Sequence, residues 1–352
     1  MDRVRVGIVG AGYWGPNLIR TFAGLDGCEV AWVCDRRPGR LQYIAERFPE
    51  LPLTDRYDDL LADRRLDAIA IVTPPATHRA LAEAALQVGK HVLVEKPLAL
   101  TVEDAAALVE MADRLRLVLA TGHVFVYHPA VAAIRDLARA GTLGDLCYAE
   151  SDRVNLGHPD SAVDVIWDLA VHDVSVLVAV VGSTPAEVQV DARRWLHPTL
   201  TDVAFITLRF DGGFLAKLHV SWLSPMRVRR MFIAGTNGSA IFDDTRAEDK
   251  LVLIDRGVDT RVGAGDSTVR DLVYQPGKTQ VCALPDVLPL TAECARFVQC
   301  VRSGGAPEAD GHAGLAVVRV LDAARRSASN GGRPVRLGEN PARGGAAPPA
   351  PA

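Results

Sequence analysis

The sequence has few of the features that would assign it to several common protein classes. Its six cysteines include no C-x-x-C pair, which argues against a zinc knuckle or a thioredoxin-type dithiol. The longest apolar stretch, near 174–181, is far shorter than the roughly 18 residues of a membrane-spanning helix. With 39 basic and 43 acidic side chains, the formal net charge is −4, so the basic footprint typical of nucleic-acid binding is also lacking.

The first residues do not resemble an export signal. Residues 1–10 have too short an apolar stretch, and no small-residue cleavage site follows them. Six thiols in such a chain suit a reducing compartment. We therefore expect a cytoplasmic protein that is not embedded in a membrane and binds no metal.

Length and composition favour a globular protein of two domains. The chain has 352 residues, of which 49% are apolar and 23% are charged. Such a composition excludes a disordered or collagen-like chain, and the length allows a large core without disulfide bonds. At about 150 residues per domain, two domains are expected.

The first third of the chain alternates between strand and helix patterns. The predicted strands are Val4–Val9, Val30–Cys34, Asp67–Val72, His91–Val94 and Leu117–Thr121. The predicted helices between them are Gly15–Ala23, His78–Val88 and Val102–Leu115. This alternation predicts an α/β domain over residues 1–122, with a parallel sheet covered by helices on both faces.

The pattern changes after residue 122. Helices are predicted at Pro129–Ala140, Val165–Val181, Leu290–Arg302 and Gly311–Ser327. Strands are predicted at Glu187–Ala192, Val203–Phe210, Phe214–Trp222, Met231–Gly235 and Leu251–Asp255. Short turns between consecutive strands favour an antiparallel or mixed sheet, which predicts a second α/β domain over 123–338. The Gly-, Ala- and Pro-rich tail, 339–352, is predicted to be disordered.

A glycine-rich turn follows the first predicted strand. Gly10, Gly12 and Gly15 form a G-x-G-x-x-G pattern that opens a predicted helix, and Asp35 follows about 20 residues later. In a dinucleotide-binding Rossmann domain these glycines allow a tight turn, close approach of the pyrophosphate, and helix–strand packing. The alternative, a glycine-rich turn without a ligand, does not explain the acidic residue at the end of the second strand.

Asp35 bears on the choice of cofactor. A carboxylate at this position accepts hydrogen bonds from both ribose hydroxyls of NAD and repels the 2′-phosphate of NADP. Arg36 and Arg37 complicate this prediction, because a guanidinium can stack on adenine or bind that phosphate. The alternative for both arginines is a solvated turn. On balance the sequence favours NAD over NADP.

Two further motifs carry titratable side chains. Lys96 follows a strand of the predicted parallel sheet, between Glu95, with which it can pair, and Pro97, so it should lie near the nicotinamide together with Thr73. Asp168 and His172 are four residues apart on a predicted helix and share a face. Taken alone, Lys96 reads as a surface charge and His172 as a core histidine bonded to Asp168.

Taken together, these motifs resemble the Gfo/Idh/MocA oxidoreductases. The glycine-rich turn, Thr73-Pro74-Pro75, Glu95-Lys96-Pro97 and Asp168-x-x-x-His172 occur in that family's order, over almost the whole chain. The stretches 12–18 and 167–173 resemble a narrower group that includes nucleotide-sugar 3-dehydrogenases. Ala170 departs from the glycine that many members have two residues before the histidine.

The resemblance implies an N-terminal Rossmann domain and a C-terminal α/β domain with a large, open-faced, mainly antiparallel sheet. It implies subunit association through that sheet, as a homodimer or homotetramer, and allows a cis bond between Lys96 and Pro97. The implied cofactor contacts are Gly10, Gly12, Tyr13, Trp14, Gly15, Asp35, Arg36, Thr73, Pro74, Pro75, His78, Glu95 and Lys96.

The activity implied is transfer of a hydride between NAD and a secondary alcohol or ketone of a sugar, with C3 of a nucleotide-activated sugar as the expected position. Lys96 and His172 would act at the reacting oxygen. An imidazole suits general acid–base work near neutral pH, and an ammonium group stabilises a developing alkoxide. Asp168 would orient the imidazole.

A nucleotide-sugar substrate carries a diphosphate, which arginine binds in bidentate geometry. The candidate cations are Arg153, Lys217, Arg227, Arg229 and Arg230, and strand-surface charges are the alternative for each. Alternation along a strand places Arg227 and Arg229 on one face and Arg230 on the other. Tyr127 and Asn155 are candidate contacts for sugar hydroxyls.

Two other functions fit the same motifs. A free sugar or an inositol would need no diphosphate site, and the arginine cluster weakly favours the nucleotide-linked substrate. Some proteins of this fold bind the dinucleotide as regulators without turnover. Retention of Lys96, Asp168 and His172 favours an enzyme.

Overall fold

A computed structural model describes residues 3–157, 163–255, 258–261, 271–274 and 277–338. The tail for which disorder was predicted, 339–352, lies outside the described residues. In the part of the chain that is described, no helix is both long and apolar enough to cross a membrane.

The first sheet is parallel, as predicted, and has six strands where the sequence predicted five. They are β1 (Val4–Val9), β2 (Cys28–Cys34), β3 (Leu53–Thr54), β4 (Ala68–Ile71), β5 (His91–Glu95) and β6 (Leu119–Gly122). Their order is β3-β2-β1-β4-β5-β6. The chain therefore winds in one direction from β1 to β3 and in the other from β4 to β6. The point between β1 and β4 where the order reverses is where such sheets bind ligands.

Five helices surround this sheet: α1 (Gly15–Ala23), α2 (Pro38–Arg47), α3 (Tyr57–Ala62), α4 (His78–Gln87) and α5 (Val102–Leu115). Local sequence explains several of their ends. Pro16 occupies the first turn of α1, where its missing N–H costs nothing. Thr101 caps α5 by accepting a hydrogen bond from the Asp104 N–H. Helices α2 and α3 and strand β3 were not predicted, because their apolar patterns are short.

The second sheet has nine strands in the order β16-β13-β12-β11-β7-β10-β9-β8-β17. These strands are β7 (Leu146–Leu156), β8 (Glu187–Arg193), β9 (Val203–Arg209), β10 (Leu215–Ser221), β11 (Leu223–Gly235), β12 (Ser239–Asp243), β13 (Leu251–Ile254), β16 (Thr279–Val281) and β17 (Val335–Arg336). A separate pair comprises β14 (Val258–Arg261) and β15 (Asp271–Tyr274). Only the β7–β10 pairing is parallel within the nine-stranded sheet, so the mainly antiparallel prediction is confirmed. The sequence analysis missed β7, which is central.

Helices cover one face of this sheet. They include α6 (Pro129–Arg139), α7 (Val171–Val181) and α9 (Gly311–Ser329), and α9 packs on both β8 and α7. The other face carries exposed apolar side chains, among them Phe205, which is 55% exposed, with Tyr148 and Leu215. Subunit association through this face, which the resemblance implies, stays a prediction.

The helix predicted over 165–181 is interrupted. Residues Ile166–Ala170 form a π-helical turn, and α7 begins only at Val171. The Asp164 carboxylate caps the turn by accepting hydrogen bonds from the Ile166 and Trp167 N–H groups. A wider turn changes which side chains align, so the four-residue spacing of Asp168 and His172 no longer guarantees a shared face.

Helix α8 (Pro289–Ser303) returns to the first sheet, although it lies late in the chain. It packs against α1, where the rings of Phe22 and Phe297 meet edge to face with centroids 6.5 Å apart. Near its end, the Arg302 guanidinium donates to the Gly27 carbonyl at 2.8 Å. The predicted boundary after residue 122 stays a prediction, but the first domain uses residues from beyond it.

We expect Phe297→Ala to lower the free energy of unfolding by about 3–5 kcal/mol, because it leaves a cavity in a fully buried contact. Leu288→Ala is the matched control, since Leu288 is 71% exposed and its truncation should cost less than about 0.5 kcal/mol. Urea unfolding followed by circular dichroism measures both. Equal, small losses would contradict the docking of α8 on α1.

Candidate active site

A cavity of ≈ 900 Å³ opens at the carboxyl ends of the parallel strands, at the reversal between β1 and β4. The predicted residues that line it are Gly10, Gly12, Tyr13, Asp35, Arg36, Thr73 and Pro74. Arg37, Arg40, Asp55, Tyr57 and Thr77, also lining it, were not among the predicted cofactor contacts. Its place in the sheet and its size suit an extended dinucleotide.

The three glycines of the fingerprint have different physical roles. Gly10 has φ +104°, and a Cβ there would lie 2.5 Å from the Val72 carbonyl oxygen. A Cβ at Gly15 would lie 2.3 Å from the Gly10 carbonyl oxygen. A Cβ at Gly12 would meet only the Arg37 side chain, at 3.7 Å. Packing therefore requires glycine at the first and third positions, whereas Gly12 leaves open space beside the cleft, which fits a pyrophosphate approaching the backbone.

Asp35 lies at the end of β2 and is buried. Its carboxylate accepts hydrogen bonds from the N–H groups of Ala11, at 2.8 Å, and Arg37, at 2.9 Å. The Arg37 guanidinium also donates to it, at 3.2 Å. Burial by itself raises the pKa of Asp35, but these hydrogen bonds outweigh burial, and the pKa is lowered. The carboxylate is thus held ionised as an acceptor at the adenosine end of the cleft.

Six predicted cofactor contacts do not line the cavity and stay predictions: Trp14, Gly15, Pro75, His78, Glu95 and Lys96. The His78 ring is fully buried, with Nδ1 2.8 Å from the Pro97 carbonyl oxygen and Nε2 2.8 Å from the Thr73 carbonyl oxygen. It ties the two cleft turns together and does not line the cavity. Pro75 does not line the cavity either, but begins a short 3₁₀ turn that leads into α4.

The ammonium group of Lys96 reaches across to the second domain. Its Nζ donates to the Asp168 carbonyl oxygen at 3.0 Å and to Asp168 Oδ1 at 3.1 Å. The peptide bond between Lys96 and Pro97 is cis. This geometry brings together two motifs that lie 72 residues apart in sequence.

Glu95 does not pair with the Lys96 ammonium, which corrects the ion pair anticipated from the sequence. Its carboxylate accepts the Lys96 backbone N–H at 3.2 Å and a hydrogen bond from the Trp14 side chain. Burial raises the pKa of Glu95 to about 7, although the nearby Lys96 charge opposes the shift. Trp14 thus links the glycine-rich turn to the end of β5.

The role predicted for Asp168 also needs correction. Its second carboxylate oxygen accepts a hydrogen bond from Trp222 Nε1 at 3.3 Å. Both oxygens are therefore occupied by Lys96 and Trp222, and no hydrogen bond joins Asp168 to His172. Because the π turn changes the alignment of the two side chains, Asp168 orients the lysine instead of the imidazole.

His172 is held by ring packing. Its imidazole meets Phe125 edge to face, with centroids 5.1 Å apart. Its Nδ1 is buried and has no hydrogen-bond partner among the described residues. Burial, followed by the charges of Lys96 and Arg153, lowers the pKa of His172 well below its usual value. The ring is therefore neutral at physiological pH, which is the form a general base requires.

Cationic side chains flank the Phe125 ring, which packs on His172. Arg153 on β7 is buried and binds Asp173 through both Nε and a terminal nitrogen, at 2.9–3.1 Å. Its guanidinium stacks over Phe125, 4.3 Å from the centroid. Arg229 on β11 is paired with Arg153 in register, lies 5.8 Å from the Phe125 centroid and donates to Asp244 at 3.4 Å.

Asp173 occupies the Nε side of the Arg153 guanidinium, and Arg153 is only 5% exposed, so its contact with a phosphate stays a prediction. Arg229 is half-buried, and burial together with the charges of Arg153 and Arg227 lowers its pKa. Arg227 is exposed and has no ion pair among the described residues. Arg230 is exposed and sits in register with Asp152, whose partner His219 lies on the open face, so Arg230 belongs to that face as predicted.

The remaining candidate substrate contacts lie at three different places in the structure. The Tyr127 hydroxyl accepts the Ala309 N–H at 3.1 Å, so it does not join Lys96 and His172, contrary to the prediction. Asn155 lies two residues after Arg153 on β7, on the same face, and donates to the Leu156 carbonyl at 2.9 Å. Lys217 is exposed on the opposite face of β10 and takes no part in the site.

Sequence reasoning missed Phe125 and Trp222 as parts of the site. Phe125 lies in a 3₁₀ turn (Val124–Tyr127), and Trp222 lies between β10 and β11. Phe125 packs on His172, and Trp222 donates a hydrogen bond to Asp168. Both contacts join residues that are far apart in the sequence. A local signal for either residue was lacking, because an aromatic side chain in an apolar run is typical of any core.

Comparison with known families agrees with this geometry. Residues 4–123 match the oxidoreductase family with an NAD-binding Rossmann fold, and residues 131–241 match the GFO/IDH/MocA C-terminal domain. The fold and site define an NAD-binding oxidoreductase. More narrowly, the chain belongs to the Gfo/Idh/MocA family.

Several relatives of known activity resemble the chain along most of its length. UDP-N-acetylglucosamine 3-dehydrogenase from Acidithiobacillus ferrooxidans is 32% identical over 330 residues, 92% of this chain and 96% of the relative. A solved structure of that enzyme has a TM-score of 0.80 at 28% identity, covering 95% of this chain and 100% of that chain. The 1,5-anhydro-D-fructose reductase from Ensifer adhaerens is 30% identical over 270 residues, 73% of this chain and 76% of the relative. The chain is an oxidoreductase that acts on the CH–OH group of sugars.

We expect Asp168→Asn to lower kcat, because the amide keeps the shape but removes the charge that orients the Lys96 ammonium. Lys96→Ala and His172→Ala should each lower kcat by at least about 10²-fold, within the usual range for acid–base groups. NAD binding, followed by calorimetry, should survive in all three. If His172→Ala lowers only the melting temperature and leaves turnover intact, the catalytic assignment of His172 is wrong.

The pH profile offers a second test. Since the folded-state pKa of His172 is lowered, the ring stays in its basic form well below pH 6.5. We therefore expect kcat/KM for sugar oxidation to show no loss from His172 protonation as the pH falls through 6.5, and to decline only at lower pH. Rate measurements across pH 5–8 check this. A limb at the ordinary histidine pKa would contradict the buried, cation-flanked ring.

Proposed function

We propose that the protein is an NAD-dependent dehydrogenase or ketoreductase of a nucleotide-activated sugar, acting at C3. The observation that carries the proposal is Arg229, whose guanidinium lies 5.8 Å from the Phe125 ring that packs on His172, with the exposed Arg227 close enough for its charge to act on Arg229. A free sugar has no need of cations there, whereas a diphosphate does. The similarity to UDP-N-acetylglucosamine 3-dehydrogenase supports the same substrate class.

The proposed mechanism divides the reaction between two side chains. NAD, when bound, supplies the hydride acceptor. His172, neutral in the unliganded site, takes the proton of the sugar hydroxyl. Lys96 donates a hydrogen bond to the same oxygen and stabilises its developing negative charge. In the reverse direction the imidazolium returns the proton to the ketone oxygen.

Asp168 and Trp222 fix the position of the lysine in this mechanism. Two hydrogen bonds to Asp168 restrict the Lys96 ammonium to one location, and Trp222 restricts the Asp168 carboxylate in turn. A flexible lysine side chain loses considerable rotamer entropy when it is ordered. Because the protein has met that cost before the substrate binds, the ammonium is already placed for the oxygen.

Arg229 is suited to contact a phosphate directly. Its partner Asp244 also binds Lys250, at 3.1 Å. One carboxylate therefore faces two cations, and the charge of Arg229 is only partly neutralised. Arg227 lies exposed close by and adds a second positive charge. An incoming diphosphate would relieve the repulsion between the two guanidinium groups, which favours binding.

The cofactor we propose is NAD, with NADP binding more weakly. The Asp35 carboxylate is ionised and faces the cleft, so a 2′-phosphate would meet a like charge. We expect NAD to bind more tightly than NADP by calorimetry, and Asp35→Ser to narrow the difference. Asp58→Ser removes an equal charge from the exposed surface of α3 and should not change the difference between NAD and NADP affinity. Tighter binding of NADP would point instead to Arg36 as a phosphate ligand.

A substrate panel tests the function itself. The protein is incubated with NAD and UDP-, dTDP- or GDP-linked sugars, with UDP-N-acetylglucosamine as the first probe, and free hexoses and inositol are run in parallel. Mass spectrometry should report loss of two hydrogens from a nucleotide-linked sugar. Faster oxidation of a free sugar than of every nucleotide sugar would overturn the proposed substrate class, in line with the second relative.

The arginines supply a sharper test with a matched control. Arg227→Ala combined with Arg229→Ala should raise KM for the nucleotide sugar by at least about tenfold, since a charge-assisted contact contributes on the order of 1.5–3 kcal/mol. NAD affinity should stay unchanged. Arg230→Ala removes the same charge from the opposite face and should leave KM as it is. An unchanged KM in the folded double variant would reject the diphosphate site.

A further inference from the structure

A second cavity, of ≈ 290 Å³, lies between α7 and α9, away from the cofactor cleft. Its walls are small side chains, including Ser175 and Ala179 of α7 and Ala316 of α9. Its outer end is exposed, at residues 182–184 and at Glu308. At its inner end it reaches His123, which is only 1% exposed. The cavity thus connects solvent to a fully buried imidazole.

His123 has no role in the site described above, yet its environment is unusual. Both ring nitrogens are buried, and neither has a hydrogen-bond partner among the described residues. Buried polar atoms without protein partners are rare and call for bound water or a function. The cavity that His123 lines is large enough for several waters.

His123 adjoins the reacting groups. The Lys96 charge acts on the rings of both His123 and His172, and His123 in turn influences His172. On α7, His172 lies one turn before Ser175 and two turns before Ala179, which both line the cavity, and the Ser175 hydroxyl donates to the His172 carbonyl oxygen at 2.7 Å. His123 immediately precedes the 3₁₀ turn whose Phe125 ring packs on His172, and the His172 Nδ1 is buried without a hydrogen-bond partner among the described residues.

We propose that His123 and water in this cavity carry the proton between His172 and solvent. The inference rests on the proposed function, which releases one proton for each hydride transferred. His172 takes the hydroxyl proton on one nitrogen and releases one from the other through water to His123. His123 accepts that proton on one nitrogen and gives up another to the cavity water. Both rings end neutral in the opposite tautomer, which a proton returning through the same water resets, and no oxidation state changes in these steps.

The charges around His123 suit passage of a proton and not its storage. Burial and the Lys96 charge lower the pKa of His123 to about 3, so the ring is neutral near pH 7 and does not trap the proton. At the outer end the groups that line the cavity are Arg139, Glu308 and His312, all exposed. Glu308 is paired there with Arg296, and His312 with Asp113.

Turnover with UDP-N-acetylglucosamine and NAD provides the first test. His123→Asn keeps a polar side chain but cannot relay a proton, so kcat should fall by about tenfold or more, toward the 10²-fold effect of an acid–base group. KM and NAD affinity should stay unchanged, and the solvent deuterium isotope effect on kcat should increase. Imidazole added to His123→Ala should restore kcat. If KM rises or NAD affinity falls while kcat is unchanged, and imidazole does not restore activity, the relay is wrong.

The cavity itself is tested by narrowing it. Ala316→Leu places a larger side chain in the cavity wall and should lower kcat and raise the solvent isotope effect in the same way. Ala45→Leu, the matched control, makes the same change on the exposed surface of α2 and should leave both unchanged. Wild-type isotope effects in Ala316→Leu would contradict the proposed path.

A measurement that needs no turnover separates this inference from the proposed function. In the NAD-bound protein with nitrogen-15-labelled histidine, the His123 ring protons should exchange with bulk water, and Ala316→Leu should slow that exchange severalfold. Unchanged exchange would overturn the path even in an active enzyme. If the protein oxidises no nucleotide sugar, the substrate proposal fails, and the exchange result still decides whether His123 is connected to solvent.

Discussion

The contact between Lys96 and Asp168 joins the two halves of the active site. Lys96 follows a strand of the first sheet, and Asp168 lies in a π-helical turn that precedes a helix of the second domain. The ammonium group takes both a backbone and a side-chain oxygen from the same residue. Without this contact, the cofactor cleft and the substrate side would have no polar connection at the reacting centre. The Trp222 hydrogen bond matters because it holds Asp168 in place.

Among the described residues, no carboxylate is hydrogen-bonded to the ring of His172, the base of the proposed mechanism. In many acid–base sites an acidic residue fixes the imidazole and raises its pKa. Here an aromatic ring packs on the imidazole, and burial first, then the charges of Lys96, Arg153 and Arg229, hold the imidazole neutral. Arg153 is paired with Asp173, whereas Arg229 shares Asp244 with Lys250. The site is therefore electrostatically biased toward anions while most of its buried charges remain paired.

The parts of the site that the sequence predicted are those governed by local rules. Gly10, Gly15 and Asp35 lie in one strand–turn–helix–strand unit, so their roles follow from spacing alone. The sequence predictions were wrong or incomplete where a side chain's partner is distant in the sequence. Arg153 is paired with Asp173, and both ring nitrogens of His78 lie against backbone carbonyls. Local sequence does not show either contact. The π turn also defeated a four-residue spacing rule, because that rule assumes a regular α-helix.

The return of α8 to the first sheet has a consequence for how the protein folds. Phe22, a fully buried residue of α1, is covered by Phe297, and a chain ending after β6 would leave that surface open to water. The nucleotide-binding half therefore becomes complete only when residues near the other end of the sequence have arrived. Contacts of such long sequence separation slow folding. During synthesis the first domain would remain unfinished until the second has almost emerged, so the two are expected to gain stability together as one cooperative unit.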